Sequence, residues 1–305
     1  MKKSLKLTVF SLFAIFAMCI FVKVPTEAAN VSLKVGTDSF TISWDKPSVS
    51  SSYTFVGYLI KDDNDKTIWT SQNYNSNYAT FKPGKGYVGY LRVYYVERSN
   101  STGNAYSYWI NSSYVNTAPV GMSSKNIGIR SVLGYIKEIS LVANKPANAT
   151  GVQFECYKGS KRAWIDNSTS YHPYKENTVY KYRARAYYKN SSSGKTYYGS
   201  WSGLKYFTFP SGTAKSKYYQ KGFTLSLKRT PGVKYYKVYV AKSEKGKYRK
   251  VKTIRLTSKK KYTVRVTKNY KKGATNYFKI VPYIKVGSKL VKSEGISGGS
   301  IYVWK

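Results

Sequence analysis

An all-β protein is predicted: three antiparallel β-sandwiches in tandem behind a signal peptide. Three observations point there. The first is period-two alternation, clearest where Tyr180, Tyr182, Ala184 and Ala186 share one face and Lys181, Arg183 and Arg185 the other. That spacing is the mark of a half-buried strand. The second is repetition. The strand turns at Gly194 and returns through Tyr197, Tyr198 and Trp201, and similar hairpins occur over residues 87–108 and 276–292. The third is the cysteine count. Cys19 lies in the leader and Cys156 stands alone in the rest of the chain, so no internal disulfide forms and the modules depend on core burial.

The elements follow in order. Lys2, Lys3 and Lys6 precede a largely apolar run over residues 7–22, and Ala28-Ala29 follows. The run is shorter than the ~20 residues of a membrane span, so it reads as a signal peptide. Cleavage is expected after Ala28, with Ala29 the alternative, and residues 1–29 are assigned to the leader. Met18 before Cys19 is too large for a lipidation site.

In residues 30–118, Phe40, Ile42 and Trp44 alternate with Thr41 and Ser43, and Pro47 ends the strand. Tyr58 and Ile60 face inward on the next strand, the run Asp62-Asp63-Asn64-Asp65 makes its turn, and Leu91 and Val93 face inward further on. In residues 119–209, Ile136, Ile139, Leu141 and Val142 give a broken pattern. Residues 151–157 give a clearer strand, on which Val152, Phe154 and Cys156 share a phase. In residues 210–305, Tyr236, Val238 and Val240 alternate with Lys237 and Tyr239, and Lys245-Gly246 turns the chain.

These residues carry a resemblance. The spacing of Ser43, Trp44 and Pro47, the pair Gly57-Tyr58, and the set Phe81, Pro83, Gly84 and Tyr87 resemble the fibronectin type III repeat. The resemblance implies a seven-stranded immunoglobulin-like sandwich without disulfides. It gives structural roles to Trp44 and to Tyr87 and Tyr180, the tyrosines that bond back to the main chain before strand F. The third repeat departs: Asn276 stands at that position, so its corner must be held differently. The segment 198–202 resembles a Trp-Ser box, which implies that Trp201 stacks with Arg183 and Arg185. Residues 231–251 resemble repeats common in secreted proteins of Gram-positive bacteria. A protein of that kind is implied to be secreted, extracellular or non-covalently associated with the cell wall.

Charge is the strongest functional signal. The chain carries 52 basic and 13 acidic residues, a net of +39. Residues 30–118 hold 8 basic and 6 acidic (+2), residues 119–209 hold 14 and 4 (+10), and residues 210–305 hold 26 and 2 (+24). Such a gradient points to a polyanion at one end. Lys247, Arg249, Lys259, Lys260, Lys261 and Arg265 are the expected polyanion-binding residues, and wall teichoic acid is the anion a Gram-positive surface would offer. The alternative is a carbohydrate- or host-matrix-binding module that uses the aromatic faces of Trp69, Trp109 and Trp201. Another surface protein is a further expected contact for the near-neutral first domain. No specific nucleic acid, no membrane span in the mature chain and a monomer are expected.

No catalytic set is legible. His172 is the one histidine, placed in a polar turn, and no hydrolase motif accompanies it. The expectation is a non-enzyme without cofactor or metal. Asp62, Asp63 and Asp65 leave two readings open: a calcium-holding turn or a plain solvated one.

Overall fold

The computed structural model describes residues 22–23, 30–131, 137–191 and 193–304. The expected leader, with Cys19, Ala28 and Ala29, therefore lies outside the described residues apart from Val22–Lys23, and so does Ile136. Among those described, strand is the only extended regular structure. A single 3₁₀ turn, Ser124–Asn126, is capped by the Ser123 hydroxyl.

The described strands form six sheets, a three-stranded and a five-stranded one, or pair, for each of three successive stretches of the chain. In the first pair, Val31–Val35, Phe40–Trp44 and Tyr78–Phe81 lie side by side. Their partner sheet runs Ala105–Asn116, Val88–Ser99, Tyr53–Lys61, Thr67–Ser71, with Val22–Lys23 parallel beside Ser107 and Tyr108. In the second pair, Ile127–Ser131, Glu138–Ala143 and Tyr171–Pro173 form the smaller sheet. Lys161–Asp166, Gly151–Lys158 and Tyr180–Lys189 form the larger, with Thr196–Tyr198 and Lys205–Phe207 both paired to Tyr180–Lys189. In the third, Gly212–Lys215, Phe223–Lys228 and Lys261–Val266 form the smaller sheet. Arg249–Arg255, Val233–Ala241 and Ala274–Val286 form the larger, closed by Lys289–Lys292 and Ser297–Val303. Hairpin neighbours pair antiparallel. Three strands against five, with the same connection order among the matching strands each time, is the arrangement of fibronectin type III or immunoglobulin-like sandwiches.

The alternation explains the cores. Phe40, Ile42, Trp44, Tyr58, Ile60, Leu91 and Val93 are buried together in the first. Ile139, Leu141, Phe154, Cys156, Tyr180, Tyr182, Ala184 and Ala186 are buried in the second. Phe223, Leu225, Leu227, Tyr236, Val238, Val240, Val264 and Val266 fill the third. Cys156 behaves as a small hydrophobe: it has no exposure, and burial pushes its thiol up to about 12.

The corners differ in chemistry. The Lys175 amide donates to the Tyr180 hydroxyl at 3.0 Å, five residues back along the chain. At the matching place Asn276, fully buried, accepts from the Lys271 amide at 2.6 Å and donates to the Lys271 and Ala274 carbonyls at 2.8 and 2.9 Å. A carboxamide thus closes the same five-residue loop from both sides. Tyr87 contributes its ring, 5.6 Å from Phe40, and its amide, which donates to Thr117 Oγ1 at 3.0 Å.

The chain divides into two compact units. The first comprises residues 1–120, 147–150 and 187–199, and the second 121–146, 151–186 and 200–305. Tyr197 belongs to the first unit. It packs in that unit's core and donates its hydroxyl to the Val35 carbonyl at 2.9 Å. Within the second unit, the segment around Pro210 is bonded rather than free. The Thr208 amide donates to Ser293 Oγ at 3.0 Å, the Ser297 hydroxyl donates to the Pro210 carbonyl at 2.7 Å, and Lys205 pairs with Glu294 at 3.0 Å.

Candidate functional site

The cationic surface is built by two consecutive edge strands. Arg249–Arg255 borders the larger sheet of the third pair and Lys261–Val266 the smaller, and the five-residue link 256–260 joins them. Ile254, Leu256, Val264 and Val266 turn into the core, which leaves the alternate positions to water. The link is fixed because the Tyr262 hydroxyl accepts the Thr257 amide at 2.5 Å and the Arg229 amide donates to the Lys260 carbonyl at 2.9 Å.

All six expected polyanion contacts, Lys247, Arg249, Lys259, Lys260, Lys261 and Arg265, are exposed on this edge. They are half of the set. Residues 242–268 carry twelve lysines and arginines against Glu244 alone, and all twelve are exposed. Among the described residues none of the twelve enters an ion pair. Lys228 and Lys261 even stand opposite each other in register, where like charges repel. An extended strip of unpaired cations with a like-charge cross-strand pair is stabilised by a multivalent counter-ion and weakened by salt. Within the larger sheet that Arg249–Arg255 borders, Lys237 lies 4.1 Å from the Tyr283 ring centroid and Lys279 3.9 Å from that of Tyr248. Those two ammonium groups are held over aromatic faces.

The three tryptophans proposed for carbohydrate contact lie in three different settings. Trp69 is half-buried, packs against the first core and meets Trp44 edge-on at 5.7 Å, so its ring is not free. Trp109 is 36% exposed and pairs with Tyr94 across the ladder. On the same two strands the exposed rings of Tyr90 and Tyr114 lie 5.1 Å apart. Trp201 is engaged by its own chain: the Arg183 and Arg185 guanidinium carbons lie 4.5 and 4.4 Å from its ring centroid. The ladder continues inward. Arg183 Nε donates to Glu155 at 2.8 Å and Arg185 Nε to Gln153 at 2.9 Å. Burial works to raise the Glu155 pKa, but hydrogen bonds from Tyr157, Arg183 and Arg162 outweigh it and hold the carboxyl below the ordinary glutamate value.

His172 sits in the strand Tyr171–Pro173 rather than in a turn. Its ring is stacked on Trp164 at 3.9 Å, and its Nε2 lies 2.9 Å from Asp166 Oδ2. Burial raises the Asp166 pKa, and the bonds from His172 and Ser170 bring it below the usual aspartate range. The Ser168 hydroxyl donates to Asp166 at 3.4 Å. The carboxylate thus collects the imidazole and the serine hydroxyls alike, whereas a nucleophile needs its bond to the imidazole. Asp62 accepts the Asn64 and Lys66 amides with one carboxylate oxygen, each at 3.0 Å, and Asp65 pairs with Lys61 and Arg92. Those contacts are the geometry of a self-capped turn. Among the described residues no group of three or more His, Cys, Asp or Glu is placed to hold a metal ion, and no helix is long and apolar enough to cross a membrane.

No protein-family model matches the chain, and no curated protein matches it. Among solved structures, the three N-terminal domains of the bacteriophage RB49 highly immunogenic outer capsid protein align over 91% of this chain and 100% of theirs. The identity is 13% and the TM-score 0.28. The FN1–FN3 domains of chicken CNTN1 align over 92% of this chain and 99% of theirs, at 11% identity and a TM-score of 0.29. At such low scores the fold assignment rests on the strand order above.

Proposed function

We propose that this chain is a secreted, non-catalytic binding protein that holds an anionic surface polymer along the cationic edge of residues 210–305. The observation that carries the reading is the strip of twelve exposed, unpaired cations between Lys242 and Lys268. In this reading residues 1–29 are a leader, residues 30–118, 119–209 and 210–305 are successive modules, and the first, near-neutral module projects toward a partner. At a Gram-positive surface the polymer is teichoic acid, whose regularly spaced phosphates match a strand of regularly spaced ammonium and guanidinium groups.

Co-sedimentation of the full chain with purified wall polymer, at low and high salt, tests it. Binding is expected at low salt and release at high salt. A variant carrying Lys259→Gln, Lys260→Gln, Lys261→Gln and Arg265→Gln is expected to bind at least roughly ten-fold more weakly. Equal binding by the variant contradicts the proposal. A second reading, carbohydrate contact on the first module, draws on the exposed Tyr90, Trp109 and Tyr114. Salt-resistant binding that Trp109→Ala abolishes would favour it.

A further inference from the structure

Four large aromatic side chains stand exposed together at one end of the third pair of sheets. Tyr218 is 61% exposed, Tyr219 88%, Tyr302 44% and Trp304 47%. Tyr218 lies 4.2 Å from Tyr219 and 6.2 Å from Trp304, which lies 5.2 Å from Tyr302. A contiguous exposed cluster of such residues marks an interaction site rather than incidental exposure.

The backbone presents this cluster at a cost. The Gln220 amide donates to the Lys217 carbonyl at 3.2 Å, so Tyr218 and Tyr219 occupy the tip of a tight turn. Tyr219 holds φ at +61°, in the left-handed region, where Gly or Asn would sit with less strain. Gly222 then pins the loop to the sheet: a Cβ there would lie 1.9 Å from the Val266 carbonyl oxygen. The other half of the cluster ends the strand Ser297–Val303, where Val303 pairs with Ala274. Exposed lysines surround both halves. Lys217 and Lys221 flank the tyrosines, and Lys271 and Lys272 precede Ala274.

We propose that this tip is a membrane-interface contact that seats Tyr218, Tyr219, Tyr302 and Trp304 among the headgroups of an anionic lipid bilayer. Three features select that occupant. Tyr and Trp combine an apolar body with a polar tip and partition to the headgroup layer. The lysine collar complements acidic headgroups. The rings meet at 76°, 61° and 75°, edge to face, which makes a knob rather than the flat platform on which sugars or bases stack. A second copy of the chain is disfavoured by charge, because residues 210–305 hold 26 basic and 2 acidic side chains.

Charge alone draws the protein to acidic vesicles, so the test reads insertion. The full chain is mixed with phosphatidylglycerol-containing vesicles whose acyl chains are brominated near the headgroup, and tryptophan quenching is measured. Quenching is expected for the wild type and its loss for Trp304→Ser. Tyr219→Asn suits the positive φ and preserves the turn, yet it is expected to weaken vesicle partitioning roughly ten-fold when combined with Tyr218→Ser. Vesicle binding without Trp304 quenching overturns the proposal. So does partitioning unchanged in the tyrosine variant, or a Trp304 emission change that soluble teichoic acid produces as fully as vesicles do. The four-residue Gln variant of the cationic edge keeps the Trp304 quenching at saturating lipid, which separates this contact from polymer binding.

Discussion

At the scale of single residues, Asn276 shows how one side chain replaces another in the same structural role. A tyrosine closes the corner of the second sandwich by accepting one amide. The asparagine of the third accepts that amide and also donates to two carbonyls. Asn276→Ala removes the partner of these part-buried main-chain groups and is expected to cost about 1–3 kcal/mol, measured by urea unfolding. A cost below about 0.5 kcal/mol would mean that water or a shifted loop satisfies them. Cys156 offers a second residue-scale check. Its burial and raised pKa predict no reaction with a thiol reagent at pH 8 in the folded protein, and full reaction once unfolded.

Side-chain patterns were legible at this scale where one sheet face met one core. Phe40, Ile42 and Trp44 could be assigned from alternation alone. Leu59 could not: it lies between inward-facing Tyr58 and Ile60, yet it is buried on the opposite face with Tyr94 and Val96. A strand buried on both faces loses the alternation on which the assignment depends. The edge-on contact of Trp69 with Trp44 is likewise not legible, because composition does not say which aromatic rings a neighbouring tryptophan covers. The strained turn at Tyr219 carried a faint signal, two adjacent tyrosines between lysines, without the Gly or Asn that normally marks a positive φ.

At the scale of elements, the Trp201 ladder and the cationic edge behave in opposite ways. The ladder is closed: Glu155 and Gln153 sit beneath Arg183 and Arg185, so the second sheet carries its own counter-charge. The Glu155 pKa is depressed in the folded state. Its contribution is therefore complete above the ordinary glutamate value of 4.5 and is lost as the pH falls through the lower folded value. The wild type is expected to lose thermal stability below that point more steeply than Glu155→Gln, whose side chain does not titrate. Parallel acid profiles for the two would show that Glu155 is not linked to folding. The edge is open by contrast, since its cations lack partners. The Trp-Ser segment made the ladder readable in the sequence. The edge was readable because charge density needs no tertiary information. The bonds that hold Thr208, Pro210, Ser293 and Ser297 were not, since hydroxyl-to-backbone contacts across 85 or more residues leave no local pattern.

At the scale of the molecule, repetition in the sequence and compactness in space divide the chain differently. Three hairpin repeats give three pairs of sheets, but contacts gather the chain into two units. The hairpin over residues 180–201 contributes to both: Tyr180–Lys189 changes unit after Ala186, and Tyr197 joins the core of the first. A residue 162 positions from its hydrogen-bond partner is invisible to any periodicity argument. Tyr197→Ala is expected to lower the stability of the first unit by about 3 kcal/mol, from the lost burial and the cavity left behind. Proteolysis under native conditions reads the effect, and an unchanged cleavage rate would contradict this role for Tyr197.

The charge gradient is the other whole-molecule property, and it bears on the central claim. Affinity for an anionic polymer should fall linearly with salt on a log–log scale, because each phosphate contact releases counter-ions. The decisive measurement is that slope for wild-type protein and for the variant lacking Lys259, Lys260, Lys261 and Arg265. A steep wild-type slope that flattens by up to roughly one unit per cation removed is the predicted result. Identical slopes, or binding indifferent to salt, would contradict the account.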